Sequence, residues 1–247
     1  MTRYLITGAT SGLGHAVCGA LRDGALGPAS LIVCMGRDEV RLAAMTAAWA
    51  GVMQPAVCDM AAVAPERITH ALRGLAQEGG ALNGIVHCAG VEVVAPLRLT
   101  GDAQYRAAMM AADSAFAILR AAACRGVMVD GGSIVIMSSV AAHRGTAGMA
   151  AYSAGKAAIE AMVRCAAIEL APRGIRVNAI AAGAFRSPMH TRITRRMPPG
   201  ALADYDSLHP LGIGSVSAVS DAVLHLLSDA AQWVTGTTMV VDGGLLA

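Results

Sequence analysis

The amino-acid sequence predicts a doubly wound α/β fold, in which helices cover both faces of a seven-stranded parallel sheet. Short β-rich runs alternate with longer helical stretches, which is typical of βαβ crossovers. The runs 31–35 and 134–137 are continuously apolar, as strands covered on both faces are. A length of 247 residues fits one large domain, and we expect a single domain over 1–247.

The predicted elements follow one another in a regular order along the chain. Strands are expected at 4–7, 31–35, 53–58, 84–88, 133–137, 176–180 and 238–241. Helices are expected at 12–23, 38–49, 65–78, 101–125, 151–172 and 216–228. The segment 185–214 contains four prolines and no clear periodicity. A stretch of that length favours a substrate-binding loop over an ordinary connection.

Composition excludes several classes of protein. With 55% apolar and 15% charged residues, the chain is not intrinsically disordered. The longest stretch without a charge, 42–58, is broken by polar residues, glycine and proline, so we expect no membrane span. The first residues lead directly into a glycine turn, so we expect no signal peptide and a cytoplasmic protein. A net charge of +2 and only 3% aromatic residues weigh against nucleic-acid binding.

Cysteine spacing gives no support for metal or redox chemistry. The six cysteines form no Cys-x-x-Cys pair and stand at positions 18, 34, 58, 88, 124 and 165. Zinc sites and thioredoxin-like sites need closer spacing. We therefore expect no metal and mostly buried free thiols in a reducing compartment.

A glycine-rich segment directly follows the first strand and opens the first helix. It reads Thr-Gly-Ala-Thr-Ser-Gly-Leu-Gly over 7–14. Glycines there permit a tight turn and close approach of a pyrophosphate, and the helix N-terminus adds free N–H groups. An ordinary strand-to-helix turn is the alternative. The candidate cofactor-binding residues are Gly8, Thr10, Ser11, Gly12, Leu13 and Gly14.

The Gly-x-x-x-Gly-x-Gly spacing and Tyr152-x-x-x-Lys156 together resemble the short-chain dehydrogenase/reductase family, in its compact single-domain branch. The resemblance covers essentially the whole chain. Its further matches are Asp59, Ala89-Gly90, Ser139, Arg176-Val177-Asn178, Gly183, Gly236 and Val241-Asp242-Gly243-Gly244.

The resemblance implies a Rossmann-like sheet and an oxidoreductase that moves a hydride between a nicotinamide and a ketone or secondary alcohol. It also implies a homotetramer or homodimer, in which the apolar C-terminal tail 243–247 packs against a sister subunit. The additional cofactor contacts that it implies are Asp59, Met60, Ala89, Gly90, Tyr152, Lys156, Gly183, Phe185 and Ser187. A helix-capping role is the alternative for Asp59.

The end of the second strand predicts the type of nicotinamide cofactor. An NAD site needs a carboxylate there, and Gly36 stands where the family's NAD enzymes carry aspartate. Arg37 follows, and its guanidinium can bind a 2′-phosphate with two hydrogen bonds. A solvated arginine at a helix start is the alternative. We therefore expect NADP(H) rather than NAD(H), with reduction as the favoured direction.

The candidate catalytic residues are Ser139, Tyr152 and Lys156. Tyr152 and Lys156 are four positions apart and share one helix face. A nearby ammonium group and an oxidised nicotinamide should lower the phenol pKa from about 10 by about 3 units, which would make Tyr152 the acid-base group. Ser139 precedes Tyr152 by 13 residues and can donate to the substrate oxygen. Ser138 is its rival, and the family spacing selects Ser139.

The chain departs from the family pattern at three places. Ala111 stands where many members carry an asparagine that helps to hold a proton-relay water near the lysine. His87 and Cys88 replace two asparagines, and we expect both to be core residues rather than ligands. Ala182 replaces the usual proline before Gly183.

Positive charge is concentrated in the segment 185–214. It carries Arg186, His190, Arg192, Arg195 and Arg196, with no acid before Asp204. A solvated charged loop is one interpretation. The other is attraction of an anionic or carrier-bound substrate, such as a 3-oxoacyl chain, with apolar contact from Met189 and Met197.

We therefore expect a ketoreductase that acts on a small-molecule carbonyl or alcohol, such as a 3-oxoacyl group or a secondary metabolite. The alternative is a dinucleotide-binding regulator or scaffold without turnover.

Overall fold

The computed structural model describes residues 2–27, 30–195 and 201–247. Within these ranges, seven strands form one parallel sheet in the order β3-β2-β1-β4-β5-β6-β7. The strands are β1 Thr2–Thr7, β2 Ser30–Gly36, β3 Met53–Val57, β4 Leu82–His87, β5 Met128–Met137, β6 Arg176–Ala182 and β7 Thr238–Val241. The predicted fold class is confirmed.

Helices cover both faces of the sheet. They are α1 Gly12–Arg22, α2 Glu39–Ala47, α3 Pro65–Gly79, α4 Asp102–Ala123, α5 Ala150–Leu170, α6 Pro188–Thr194, α7 Ala201–Ser207 and α8 Val216–Leu227. Helices α3, α4 and α5 bury their apolar residues in one core, and α1, α2 and α8 bury theirs in a second core on the opposite face. In the described part of the chain, no helix is both long and apolar enough to cross a bilayer.

The continuously apolar strands supply both cores at once. Successive side chains on a strand point to opposite faces. In β5, Ile134 and Ile136 therefore enter one core, while Val135 enters the other. In β1, Leu5 and Ile6 divide between the two cores in the same way. Each strand needs apolar residues at consecutive positions because neither face meets water.

The segment 185–214 contains two short helices that the sequence analysis did not predict. Ser187 begins α6, where its Oγ accepts a hydrogen bond from the backbone N–H of His190 at 3.2 Å, and Pro188 occupies the first turn. Serine before proline is a recognised helix-start signal that carries no apolar periodicity. Arg196 and Met197, two of the residues expected to contact substrate, lie outside the described residues.

The strand order reverses between β1 and β4. From β1 the chain proceeds outward to β2 and β3, and then returns to place β4 on the other side of β1. The connections that follow β1 and β4 therefore diverge at the carboxyl edge of the sheet and leave a crevice. Such a crevice is where open α/β sheets bind ligands.

Candidate active site

The glycine-rich turn after β1 lies at this crevice and requires glycine on steric grounds. Gly8 and Gly12 have φ angles of 66° and 55°, a region that favours glycine. A Cβ on Gly8 would come within 3.1 Å of the Ala89 backbone nitrogen. A Cβ on Gly14 would overlap the Gly8 carbonyl oxygen. The turn thus leaves a narrow backbone cradle beside Ala89 at the start of α1, and this cradle fits a dinucleotide pyrophosphate.

A buried hydrogen-bond network joins the ends of β1 and β4. Thr7 Oγ1 accepts from the backbone N–H groups of Cys88 and Ala89, both at 3.1 Å. With both lone pairs used, it donates to His87 Nδ1 at 2.8 Å. Ser114 donates to the Met110 carbonyl, so its Oγ accepts from His87 Nε2–H at 3.0 Å. These contacts assign His87 as the neutral Nε2–H tautomer.

The environment of His87 keeps it uncharged. Its side chain is fully buried, and burial followed by the charge of Lys156 lowers its pKa to about 3. Its Nε2 also lies 3.3 Å from the Ala111 carbonyl oxygen. His87 is a core residue, as expected. It links the sheet edge to α4 at the turn where Ala111 replaces the family's asparagine.

The residues predicted to select the cofactor lie at the carboxyl ends of β2 and β3. A Cβ on Gly36 would lie 3.7 Å from the Thr10 side chain. The carboxylate of Asp38 accepts from the Arg41 backbone N–H at 3.0 Å and thereby caps α2. Arg37 is exposed and makes no hydrogen bond or ion pair within the described ranges. Its guanidinium is therefore free to meet an anion.

The two predicted contacts after β3 differ in their surroundings. Asp59 Oδ1 accepts from the Ala61 backbone N–H at 3.1 Å. It closes a local turn and does not cap α3, which begins at Pro65. The Met60 side chain is buried in the core. Any contact of Met60 with a ligand would therefore be made by its backbone.

The structure brings Ser139, Tyr152 and Lys156 together at the same edge. Ser139 follows β5, and its Oγ accepts from the Ala141 backbone N–H at 3.2 Å. The Ser139 side chain lies near enough to Tyr152 to lower the pKa of the phenol by hydrogen bonding. Lys156 donates from Nζ to the Met137 carbonyl at 2.8 Å, and Nζ lies 5.7 Å from the centroid of the Tyr152 ring. The predicted constellation is therefore geometrically present.

Ser138 has a different task. It donates to Glu160 Oε1 at 2.6 Å, and the same oxygen lies 3.0 Å from His143 Nε2. These contacts fasten the segment that carries Ser139 to α5, four residues beyond Lys156. With Ser138 held behind the site, Ser139 is the serine that faces Tyr152.

Burial controls the protonation of the pair on α5. It is the largest cause that raises the pKa of Tyr152 above its usual value, and the charge of Glu92 raises it further. The hydrogen bond with Ser139 opposes this shift. Burial also lowers the pKa of Lys156 to about 8. The expected lowering of the Tyr152 pKa is wrong for this structure, because loss of hydration penalises the phenolate. Tyr152 is a neutral phenol at pH 7.

The three remaining predicted cofactor contacts lie in the segment after β6. A Cβ on Gly183 would come within 2.7 Å of Asp242 Cα, so glycine is required there. Phe185 pairs with Gly214 through an isolated bridge. Ser187 caps α6. The backbone here is thus held between β7 and the substrate segment.

Glu92 acts on Tyr152 and was not among the predicted site residues. Glu92 is partly buried, and burial raises its pKa to about 7, with Arg192 acting in the opposite direction. Glu92 also raises the pKa of Tyr205, after burial. The Tyr205 ring stacks on His190, with centroids 6.2 Å apart. The only sign of Glu92 in the sequence was an acidic residue two positions after Ala89-Gly90.

Comparison with known proteins supports the resemblance. The family model described as enoyl-(acyl carrier protein) reductase matches residues 8–246. A cis-4-hydroxycyclohexanecarboxylate dehydrogenase from Sinomonas cyclohexanicum is 33% identical over 98% of this chain and 96% of its own. The solved structure of a short-chain type dehydrogenase/reductase from Mycobacterium ulcerans superposes with a TM-score of 0.87, at 31% identity, over 99% of this chain and 90% of that one.

The chain belongs to the short-chain dehydrogenase/reductase family. It is also similar to a blue fluorescent protein from a metagenomic library, solved in complex with NADPH, with a TM-score of 0.86 and 25% identity over 100% of this chain and 98% of that one. The chain spans about half the length, 49%, of the first curated relatives that it matches, at 38% identity. Among the residues that the structure describes, no group of three or more histidine, cysteine or acidic side chains could hold a metal ion.

We predict that His87 makes this short-chain dehydrogenase/reductase sensitive to acid. Its pKa is about 3 in the folded chain, whereas histidine in an unfolded chain has a pKa near 6.5. The contribution of neutral His87 to the free energy of unfolding is fully present above about pH 6.5. It is lost as the pH falls towards 3, because only the unfolded chain takes up the proton. His87→Asn should flatten the fall in unfolding free energy by up to about 1.4 kcal/mol per pH unit.

Urea unfolding at several pH values between about 7 and 4 measures this slope. His70→Asn on α3 changes an exposed histidine and serves as the matched control. Equal slopes for His87→Asn and the unmodified protein would contradict the prediction.

Proposed function

We propose that this protein is an NADP(H)-dependent oxidoreductase that reduces a ketone to a secondary alcohol. The observation that carries the proposal is the convergence of Ser139, Tyr152 and Lys156 beside the glycine cradle. A serine donor, a neutral phenol and a buried ammonium are the groups that a carbonyl needs in order to accept a hydride and a proton. Because these three groups line one crevice, they can act on the same substrate.

The proposed cofactor site extends along the carboxyl edge of the sheet. Its residues are Gly8, Thr10, Ser11, Gly12, Leu13, Gly14, Arg37, Asp59, Met60, Ala89, Gly90, Tyr152, Lys156, Gly183, Phe185 and Ser187. The cofactor supplies the hydride when it is bound. Arg37 would hold the 2′-phosphate of NADP(H), while the Asp38 carboxylate caps α2. The similarity to a protein solved with NADPH also supports this choice.

Each catalytic group has a role that follows from its contacts. Ser139 accepts from the Ala141 N–H, and its hydroxyl proton, which is directed at Tyr152 in this structure, would donate to the carbonyl oxygen when substrate is bound. Tyr152 gives its phenolic proton to the same oxygen. The Lys156 ammonium, held by the Met137 carbonyl, stabilises the phenolate that remains.

Reduction is the proposed direction of the reaction, because Gly36 and Arg37 favour NADPH as the cofactor. The Tyr152 phenol donates a proton in that direction, and its phenolate accepts one in the reverse direction.

The proposed substrate is a small ketone. Arg186, Arg192 and Arg195 favour an anionic or carrier-bound compound, and the relative that acts on a hydroxycyclohexanecarboxylate is consistent with one. We propose action in the cytoplasm, with no nucleic-acid or membrane partner.

A second candidate is a dinucleotide-binding regulator without turnover. Ala111 favours it, because an alanine side chain cannot hold a relay water and the Ala111 carbonyl is engaged by His87. The intact catalytic trio favours the enzyme. Oxidation of NADPH with a panel of ketones distinguishes the two candidates.

Removal of the phenol hydroxyl should separate chemistry from binding. We expect Tyr152→Phe to lower the turnover rate by roughly 10²- to 10⁴-fold, because the proton donor is lost. NADPH affinity, measured by fluorescence titration, should stay nearly unchanged, since the hydroxyl acts on the reacting oxygen. Tyr105→Phe, at an exposed tyrosine on α4, is the control. Full activity in Tyr152→Phe would refute the mechanism.

Reversal of the charge at position 37 should reverse the cofactor preference. Loss of charge-assisted contacts to a 2′-phosphate costs about 1.5–3 kcal/mol, or roughly 10- to 150-fold in affinity. Arg37→Asp should therefore favour NADH, as shown by kcat/KM for both cofactors. Arg73→Asp makes the same charge change at an exposed site on α3 and should leave the preference intact. Equal affinity of the unmodified protein for both cofactors would overturn this prediction.

We propose a homotetramer or homodimer, which exposed apolar side chains on neighbouring helices support. Phe116 on α4 is 50% exposed and Ile168 on α5 is 77% exposed. The predicted tail contact has less surface to offer, because Asp242 binds the backbone of Gly244 and Leu246 and folds the tail back on its own chain. Large apolar groups gain about 25 cal/mol per Å² when covered.

Light scattering at micromolar concentration should therefore give a mass two or four times that of the monomer. Ile168→Glu should lower this mass, whereas Val40→Glu, at an exposed valine on α2, should not. A monomeric mass for the unmodified protein would refute the assembly.

A further inference from the structure

Glu92 lies two residues beyond Gly90, and none of the proposed catalytic steps uses it. Two anchors fix the segment around it. On one side, a Cβ on Gly90 would lie 3.7 Å from Lys156 Nζ. On the other side, the Ala95 N–H donates to the Gly148 carbonyl at 2.9 Å, just before α5 begins. The chain between these anchors must therefore pass the mouth of the crevice.

Glu92 interacts electrostatically with side chains from three helices. It acts on Tyr152 of α5 and Tyr205 of α7, and Arg192 of α6 acts on it. The side chain is partly buried, yet within the described ranges it makes no hydrogen bond and no ion pair. A carboxylate that has lost part of its water without gaining a donor is in a costly position, unless a ligand supplies the donor.

The charges around Glu92 determine which hydrogen-bond donors of a substrate can approach its carboxylate. Lys156 and Arg192 are cationic, and Arg186 follows β6 on the same side. A substrate ammonium group would be repelled by this set, as it would by an oxidised nicotinamide. An uncharged hydroxyl pays no such penalty, and it donates well to a carboxylate.

Resting on the proposed function, we propose that Glu92 selects hydroxyketones by accepting a hydrogen bond from a second hydroxyl group of the substrate. Ser139 and Tyr152 hold the reacting oxygen, while Glu92 holds the hydroxyl on the same molecule. The product of reduction is then a diol. Glu92 contributes to recognition and takes no part in the transfer of hydride or proton.

The first experiment compares ketones that differ only in the second hydroxyl. Cyclohexanone is the reference, and 2-hydroxycyclohexanone and 4-hydroxycyclohexanone are the probes, all with NADPH. The unmodified enzyme should have a kcat/KM for the better probe that is roughly ten- to a hundredfold above the reference. Glu92→Ala should remove this preference and leave the reference within about threefold. Glu169→Gln, at an exposed glutamate on α5, should change neither value.

The second experiment follows the ratio of the two kcat/KM values against pH. Burial places the pKa of Glu92 at about 7, so the carboxylate is protonated as the pH falls from about 8 to 6. The preference for the hydroxyketone should fall with it, because a neutral acid is a weaker acceptor. Lys156, with a pKa of about 8, acts on both ketones and cancels in the ratio. Tyr152 and Tyr205 have raised pKa values and His190 a lowered one, so they stay neutral over this range.

Glu92→Gln keeps the size of the side chain and should make the ratio independent of pH. Equal loss of activity on both ketones in Glu92→Ala, or no preference in the unmodified enzyme, would overturn this inference alone. Failure of the unmodified protein to reduce any ketone while it still binds NADPH would overturn the proposed function, and this inference with it.

Discussion

The hydroxyl of Thr7 is the contact on which the rest of the site depends. It joins the carboxyl ends of β1 and β4, the two strands between which the sheet order reverses, by accepting from Cys88 and Ala89 and donating to His87. The glycine cradle begins at the next residue. On the other side, Gly90 continues from Ala89 to the neighbourhood of Lys156. Loss of this hydroxyl would leave the N–H groups of Cys88 and Ala89 without their acceptor, where the nucleotide end of the crevice meets its catalytic end.

Most of the fold could be predicted because a parallel sheet imposes a strong sequence pattern. The strand at 134–137 had to be apolar at every position, since Val135 and its neighbours enter two different cores. The site residues Ser139, Tyr152 and Lys156 were found by spacing. The helices α6 and α7 were missed because seven-residue helices are too short to show apolar periodicity. The start of α6 is marked by a local signal instead, because Ser187 caps the helix.

Spacing reveals which side chains meet, but not how much water they lose. The pair Tyr152 and Lys156 was predicted as neighbours, with the ammonium lowering the phenol pKa. The structure buries both groups, and desolvation penalises the charged form of each. Glu92 was missed for a related reason, because its importance lies in partial burial beside Tyr152. Partial burial cannot be derived from the spacing of a single acid after Gly90.

Isotope transfer tests the central claim most directly. A ketone that the protein reduces would be incubated with NADPH that carries deuterium at C4 on the transferable side, and the alcohol would be analysed by mass spectrometry. Direct hydride transfer within the crevice predicts one deuterium atom on the carbon that bears the new hydroxyl. An alcohol without the label from cofactor deuterated on either side, or no alcohol from any ketone, would contradict the account.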